Sequence, residues 1–94
     1  MYEAGVPTLS FPDEYREMLR LLRHARERAG LTQVEVAQTL GRHQSFVSKI
    51  ESGERRIDPI ELLRFAELYS VDLLSLLPTL RPTISPRGSR AAKR

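Results

Sequence analysis

The chain has 94 residues, of which 40% are hydrophobic, a formal net charge of +3 and no cysteine. A single domain fits that length, and the lack of thiols excludes disulfide staples, thiolate metal sites and cysteine nucleophiles while suiting a reducing cytoplasm. No apolar run approaches the roughly 20 residues of a membrane span, and the N-terminus lacks the basic and apolar regions of a signal peptide, so neither membrane insertion nor export is expected. The positive charge is unevenly placed. Arg81, Arg87, Arg90, Lys93 and Arg94 contribute +5 with no acid among them, which leaves the other 80 residues at −2. A nucleic-acid surface on the folded part must therefore be a local patch rather than a uniformly positive body.

Residues 1–11 hold a Gly and a Pro and show no periodicity, so they read as a flexible N-terminal arm. The arm carries no Lys or Arg to follow a phosphate backbone, which favours a solvated segment over one that embraces DNA. The compact domain is expected over residues 12–78. Its first helix starts near Pro12 or Asp13, with Ser10 as candidate cap, and runs to Ala29 with Gly30 as the stop. Tyr15, Met18, Leu19, Leu22, Ala25 and Ala29 recur at three- and four-residue spacing and form its core stripe. Arg16, Arg20, Arg23 and Glu27 fall on the outer side as a solvated face.

From Thr32 to Ser52 the pattern is helix, tight turn, helix. Thr32 and Glu35 have the capping-box spacing, Val36, Ala37 and Leu40 share a face of a helix from Gln33 to Leu40, and Gly41 can take the left-handed conformation that ends it. Gln33 sits in the first turn, where unpaired amides and the dipole attract anions. A third helix spans Gln44 to Ser52, with Val47 and Ile50 inward and Gln44, Ser45, Phe46, Ser48 and Lys49 on the side left outside. Amide, hydroxyl and ammonium groups are those that read base edges and hold phosphates. The loop Gly53 to Ile57 carries Arg55 and Arg56. A fourth helix opens with Asp58-Pro59-Ile60-Glu61, a cap, a first-position proline and a third-position acid. Its apolar line is Ile60, Leu63, Ala66 and Tyr69, widened by Leu62 and Phe65. A short fifth helix from Asp72 to Leu77 has more leucine than a monomer's surface needs. Some of Leu73, Leu74, Leu76, Leu77 and Leu80 close the core, and the rest are available to a homodimer. Residues 79–94, rich in proline, small polar residues and unbalanced positive charge, read as a disordered basic tail, either merely solvated or holding DNA nonspecifically at low salt.

Gly30-Leu31-Thr32-Gln33, Val36-Ala37, Leu40-Gly41, Gln44-Ser45, Val47-Ser48-Lys49-Ile50-Glu51 and Gly53 together resemble the helix-turn-helix of Cro and phage repressors, the XRE family, from about Met18 to Leu77. The resemblance implies an all-α, compact five-helix bundle of the phage-repressor type. It implies an ion pair between Arg26 and Glu51 tying the first helix to the end of the third, and a Gln33 that contacts a phosphate and braces Gln44. The loop with Arg55 and Arg56 is implied to run along the DNA backbone. Gln44 becomes the first choice for base reading, because a carboxamide matches adenine N7 and N6; Ser45, Ser48 and Lys49 reach bases or phosphates. Phe46 is either packed under the following loop or set against a sugar or thymine methyl, the second being preferred. Two residues depart from the family pattern. Arg42 replaces an apolar residue and is expected to extend to a phosphate, and His43 replaces the usual Ser or Asp cap and is expected to serve as a cap or phosphate donor.

The reading that follows is a sequence-specific regulator of double-stranded DNA, acting as a repressor. A homodimer would place two reading helices about 34 Å apart on an inverted-repeat operator. The alternative is an antitoxin-like or adaptor module that docks a protein partner. An enzyme is not expected, nor a cofactor: His24 and His43 lack metal-ligand spacing, and there is no glycine-rich phosphate loop or paired carboxylate.

Overall fold

The computed structural model describes residues 11–78, which form α1 (Phe11–Arg28), α2 (Gln33–Leu40), α3 (Gln44–Ser52), α4 (Pro59–Tyr69) and a 3-10 turn at Leu73–Leu76. No strand occurs among these described residues. The expected arm and tail, the Ser10 cap and Leu80 lie outside them.

In α1, Met18, Leu19, Leu22 and Ala25 are buried, while Arg16 and Arg20 pair along the surface with Asp13 and Glu17. Ala29, expected in the core stripe, is exposed. The helix stops at Arg28, and the chain reverses through Gly30 at φ +76°, so that the Leu31 amide donates back to the Arg26 carbonyl at 3.2 Å. Ala29 keeps the helical hydrogen bond to the Ala25 carbonyl at 3.0 Å but stands past the last residue of α1, with its side chain left exposed. In α2 the Glu35 amide donates to Thr32 Oγ1 at 3.1 Å, and the Thr32 amide to Glu35 Oε1 at 2.9 Å, so two orphan donors at the helix start are satisfied reciprocally. Gly41 ends α2 at φ +69°, and nothing lies within 4 Å of where a Cβ would sit. The backbone's left-handed turn, not space, is what asks for glycine there.

α4 begins on the capping box of Asp58 and Glu61 with Pro59 in the first turn. Its buried stripe is Leu62, Phe65, Ala66 and Tyr69, whereas Ile60 is 61% exposed and Leu63 also faces outward. The line drawn through Ile60 and Leu63 is thus displaced by one position. Starting from Leu62, the steps of three, four and seven residues give a stripe that follows a 3.6-residue period.

The fifth helix is a 3-10 turn. Ser75 N donates to Asp72 O at 2.9 Å and Leu77 N to Leu74 O at 3.2 Å, both of the i to i+3 kind. Pro78 explains the stop: its ring biases the preceding residue to extended backbone, and Leu77 has φ −102° and ψ 143°. Phe65, Leu22, Ile50, Leu76, Val36 and Val47 form the fully buried centre, drawn from all four helices and the turn. Burial of such side chains is worth about 1.5–3 kcal/mol each. It clamps α2 and α3 as one unit against α1 and α4.

Candidate nucleic-acid interface

Val47 and Ile50 have no exposed surface, so α3 cannot roll, and Gln44, Ser45 and Lys49 on its other side stand in solvent. Ser48 is half-buried. The Gln44 amide is held: its Nε2 donates to Gln33 Oε1 at 2.8 Å. Gln33 Nε2 in turn donates to Glu51 Oε1 at 2.9 Å. Glu51 is gripped by Arg26, whose Nε donates to Oε2 at 2.7 Å and Nη2 to Oε1 at 3.1 Å. Arg26 Nη1 also donates to the Leu31 carbonyl at 2.8 Å, where the chain enters α2. The side chains of Arg26 and Glu51 are only 13% and 6% exposed. Hydrogen bonding to Glu51 pushes the Arg26 pKa up, against desolvation. One chain of hydrogen bonds therefore runs from α1 through the end of α3 to the start of α2 and on to the first residue of α3.

Phe46 does not stand free on the outer side. Its ring is half-buried and stacks on Phe65, centroids 6.4 Å apart with planes at 9°, while the guanidinium carbons of Arg42 and Arg55 lie 4.5 and 4.8 Å from its centroid. The ring is packed, because at this position it reaches the core aromatic of α4. Arg42, exposed at the turn, is thus steered by Phe46. His43 occupies the N-cap position of α3, but its side chain makes no cap hydrogen bond; Nδ1 lies 3.5 Å from Ser45 Oγ. The capping role expected for it is not filled, since an imidazole lacks the short reach by which Ser or Asp accepts an amide at the third position.

The two loop arginines differ. Arg55 grips Glu61 with Nη1 to Oε1 at 2.9 Å and Nη2 to Oε2 at 3.0 Å, and Nη1 also donates to the Arg56 carbonyl. This fork holds the Glu61 carboxyl below its ordinary pKa, with help from the Asp58 backbone and against desolvation. Arg56 is exposed and lies over the Tyr15 ring at 4.2 Å, and the Tyr15 hydroxyl accepts the Ile57 amide at 3.0 Å. Arg23, read from sequence as part of a solvated face, lines a hollow of about 310 Å³ with Gln33, Ser48 and Ser52. Among the described residues, no three His, Asp or Glu side chains are grouped to hold a metal ion. None of the helices described is long and apolar enough to cross a membrane.

Two helices joined at a left-handed glycine, the second locked inward by aliphatic side chains and offering polar groups outward, define a helix-turn-helix protein. A family model described as a helix-turn-helix domain matches residues 17–78. A solved structure described as an XRE-family like protein from Pseudomonas syringae pv. tomato str. DC3000 is 48% identical, covering 69% of this chain and 79% of that chain with a TM-score of 0.66. No curated protein matches the chain. The chain belongs to the XRE family of helix-turn-helix DNA-binding regulators.

Proposed function

We propose that this protein is a sequence-specific regulator of double-stranded DNA, a repressor that seats α3 in the major groove of its operator. The observation that carries the reading is the exposed Gln44 amide, braced by Gln33 on a helix whose opposite face is fully buried. A preorganised amide loses little freedom on meeting a base, and one edge remains to face adenine N7 and N6. Ser45 and Lys49 extend the reading surface, with Ser48 at its edge. Gln33 at the start of α2, Arg42, His43 and Arg56 lie around it as phosphate contacts, and Arg55 contributes charge from its place against Glu61. Phe46 sets the height of this surface above the core.

Repression follows from occupancy: a promoter covered by the protein is closed to polymerase, and no bond is made or broken. No cofactor takes part. A homodimer sets two α3 helices about 34 Å apart, one duplex turn, and calls for an inverted-repeat operator. Such a protein acts in the cytoplasm of a bacterium or of a phage-infected cell, where the duplex is.

Selection of bound duplexes from a random pool tests the whole reading. The expected result is a palindromic motif whose enrichment is lost in the Gln44→Ala/Lys49→Ala double variant while circular dichroism stays helical. Enrichment by that folded variant equal to the parent's would remove α3 as the reader. Stable capture of a protein partner, with DNA affinity no better than nonspecific, would instead favour a docking module.

A further inference from the structure

We infer that Glu51 determines which base Gln44 accepts, by fixing the polarity of two amides in series. The inference rests on Gln44 as the base-reading residue. A carboxamide side chain has two ends of similar shape and opposite hydrogen-bonding character, and nothing in its own covalent structure decides which end faces a neighbour. Glu51 does decide. Its carboxylate, bound by two nitrogens of Arg26, has lone pairs to offer and no proton to give. Gln33 must therefore turn its NH2 end to Glu51 Oε1, the 2.9 Å contact, and so present its own oxygen to Gln44. Gln44 must then turn its NH2 end inward, the 2.8 Å contact.

The consequence is set at the outer edge. One of the two Gln44 amide hydrogens is used by Gln33, which leaves the oxygen and the second hydrogen for the outer edge. Adenine complements that pair, donating from N6 and accepting at N7. Guanine offers two acceptors, O6 and N7, and its O6 meets the Gln44 oxygen. Glu51 touches no base in this arrangement; it is a positioning residue acting through Gln33.

Competition binding of the full chain to two duplexes that differ only in A·T or G·C under Gln44 tests this, with the rest of the selected site unchanged. The parent is expected to prefer adenine by a factor within about 5- to 150-fold, the range of one good bidentate contact. Gln33→Leu keeps the Arg26–Glu51 pair and the fold but lets the Gln44 amide turn over, so the preference is expected to fall to within about twofold of none. Glu51→Gln can turn either an oxygen or an NH2 toward Gln33, so it no longer forces the series, and the adenine preference is expected to fall below the parent's. Weaker binding to both duplexes alike is what a merely structural role would produce, and the base ratio does not respond to it. If Gln44→Ala removes the preference while folded Gln33→Leu retains the parent's ratio, the polarity argument is overturned and the reading helix stands. If Gln44→Ala leaves the preference intact, the underlying reading fails, and the inference with it. Should Glu51→Gln not fold, Gln33→Leu alone decides.

Discussion

Two tyrosines in this small domain carry opposite energetic signs. The Tyr15 hydroxyl accepts the Ile57 amide at 3.0 Å, whereas the Tyr69 hydroxyl is buried and finds no hydrogen-bond partner among the described residues. Losing a used hydrogen bond costs about 1 kcal/mol, and a buried hydroxyl left unsatisfied carries a penalty of about 1–3 kcal/mol. Tyr15→Phe is therefore expected to lower the urea midpoint and Tyr69→Phe to raise it. Desolvation also pushes the Tyr69 pKa upward. The sign follows from linkage: the proton is held more tightly in the folded state, so this contribution is fully present below an ordinary tyrosine pKa of about 10 and is lost as pH rises beyond it. The alkaline loss of stability should be smaller in Tyr69→Phe. At the Arg26–Glu51 pair, Arg26→Ala strands a carboxylate only 6% exposed, and a cost of about 3–5 kcal/mol is expected in the same unfolding measurement. An unchanged midpoint would show that the pair is energetically idle.

The helix starts rank themselves by their caps. α2 and α4 have complete capping boxes, while α3 begins at His43 with no side-chain bond to its first turn. His43→Ser is expected to stabilise the domain by about 0.5–1 kcal/mol, read as a higher melting temperature. In α4 the lowered pKa of Glu61 gives the opposite linkage to Tyr69. Its stabilisation is present above the ordinary glutamate pKa of about 4.3 and disappears as pH falls through the lower folded value, so Glu61→Gln should flatten the acid side of the stability profile. Caps and turns were legible in the sequence because they are local: Thr32 with Glu35, Asp58 with Pro59 and Glu61, and Gly41 act within a few residues. The register of α4 was not, since Ile60 and Leu62 are equally apolar and only the packing partner decides which turns inward. Nor was the 3-10 turn, because a six-residue leucine-rich run fits either helix type until Pro78 and the core fix its geometry. At the site, the outward positions of α3 followed from periodicity, whereas the place of Phe46 depended on a ring in another helix.

For the molecule as a whole, charge and shape are divided between neighbouring residues. Arg55 and Arg56 look alike in sequence, yet Arg55 is a structural fork on Glu61 and Arg56 is exposed. Arg56→Gln is expected to weaken binding to every duplex alike and to reduce the salt slope by about 1, with the melting temperature little changed. Arg55→Gln should lower the melting temperature as well, and denaturation and salt titration together separate the two. The ring of Phe46 bears on redesign. Because it stacks on Phe65 and has Arg42 and Arg55 lying over it, transplanting another regulator's α3 into this scaffold would carry away an aromatic keystone along with the outward polar residues. Substitutions confined to the exposed positions 44, 45 and 49 keep this grip, whereas a wholesale helix exchange that drops the ring would loosen two cations and a core contact.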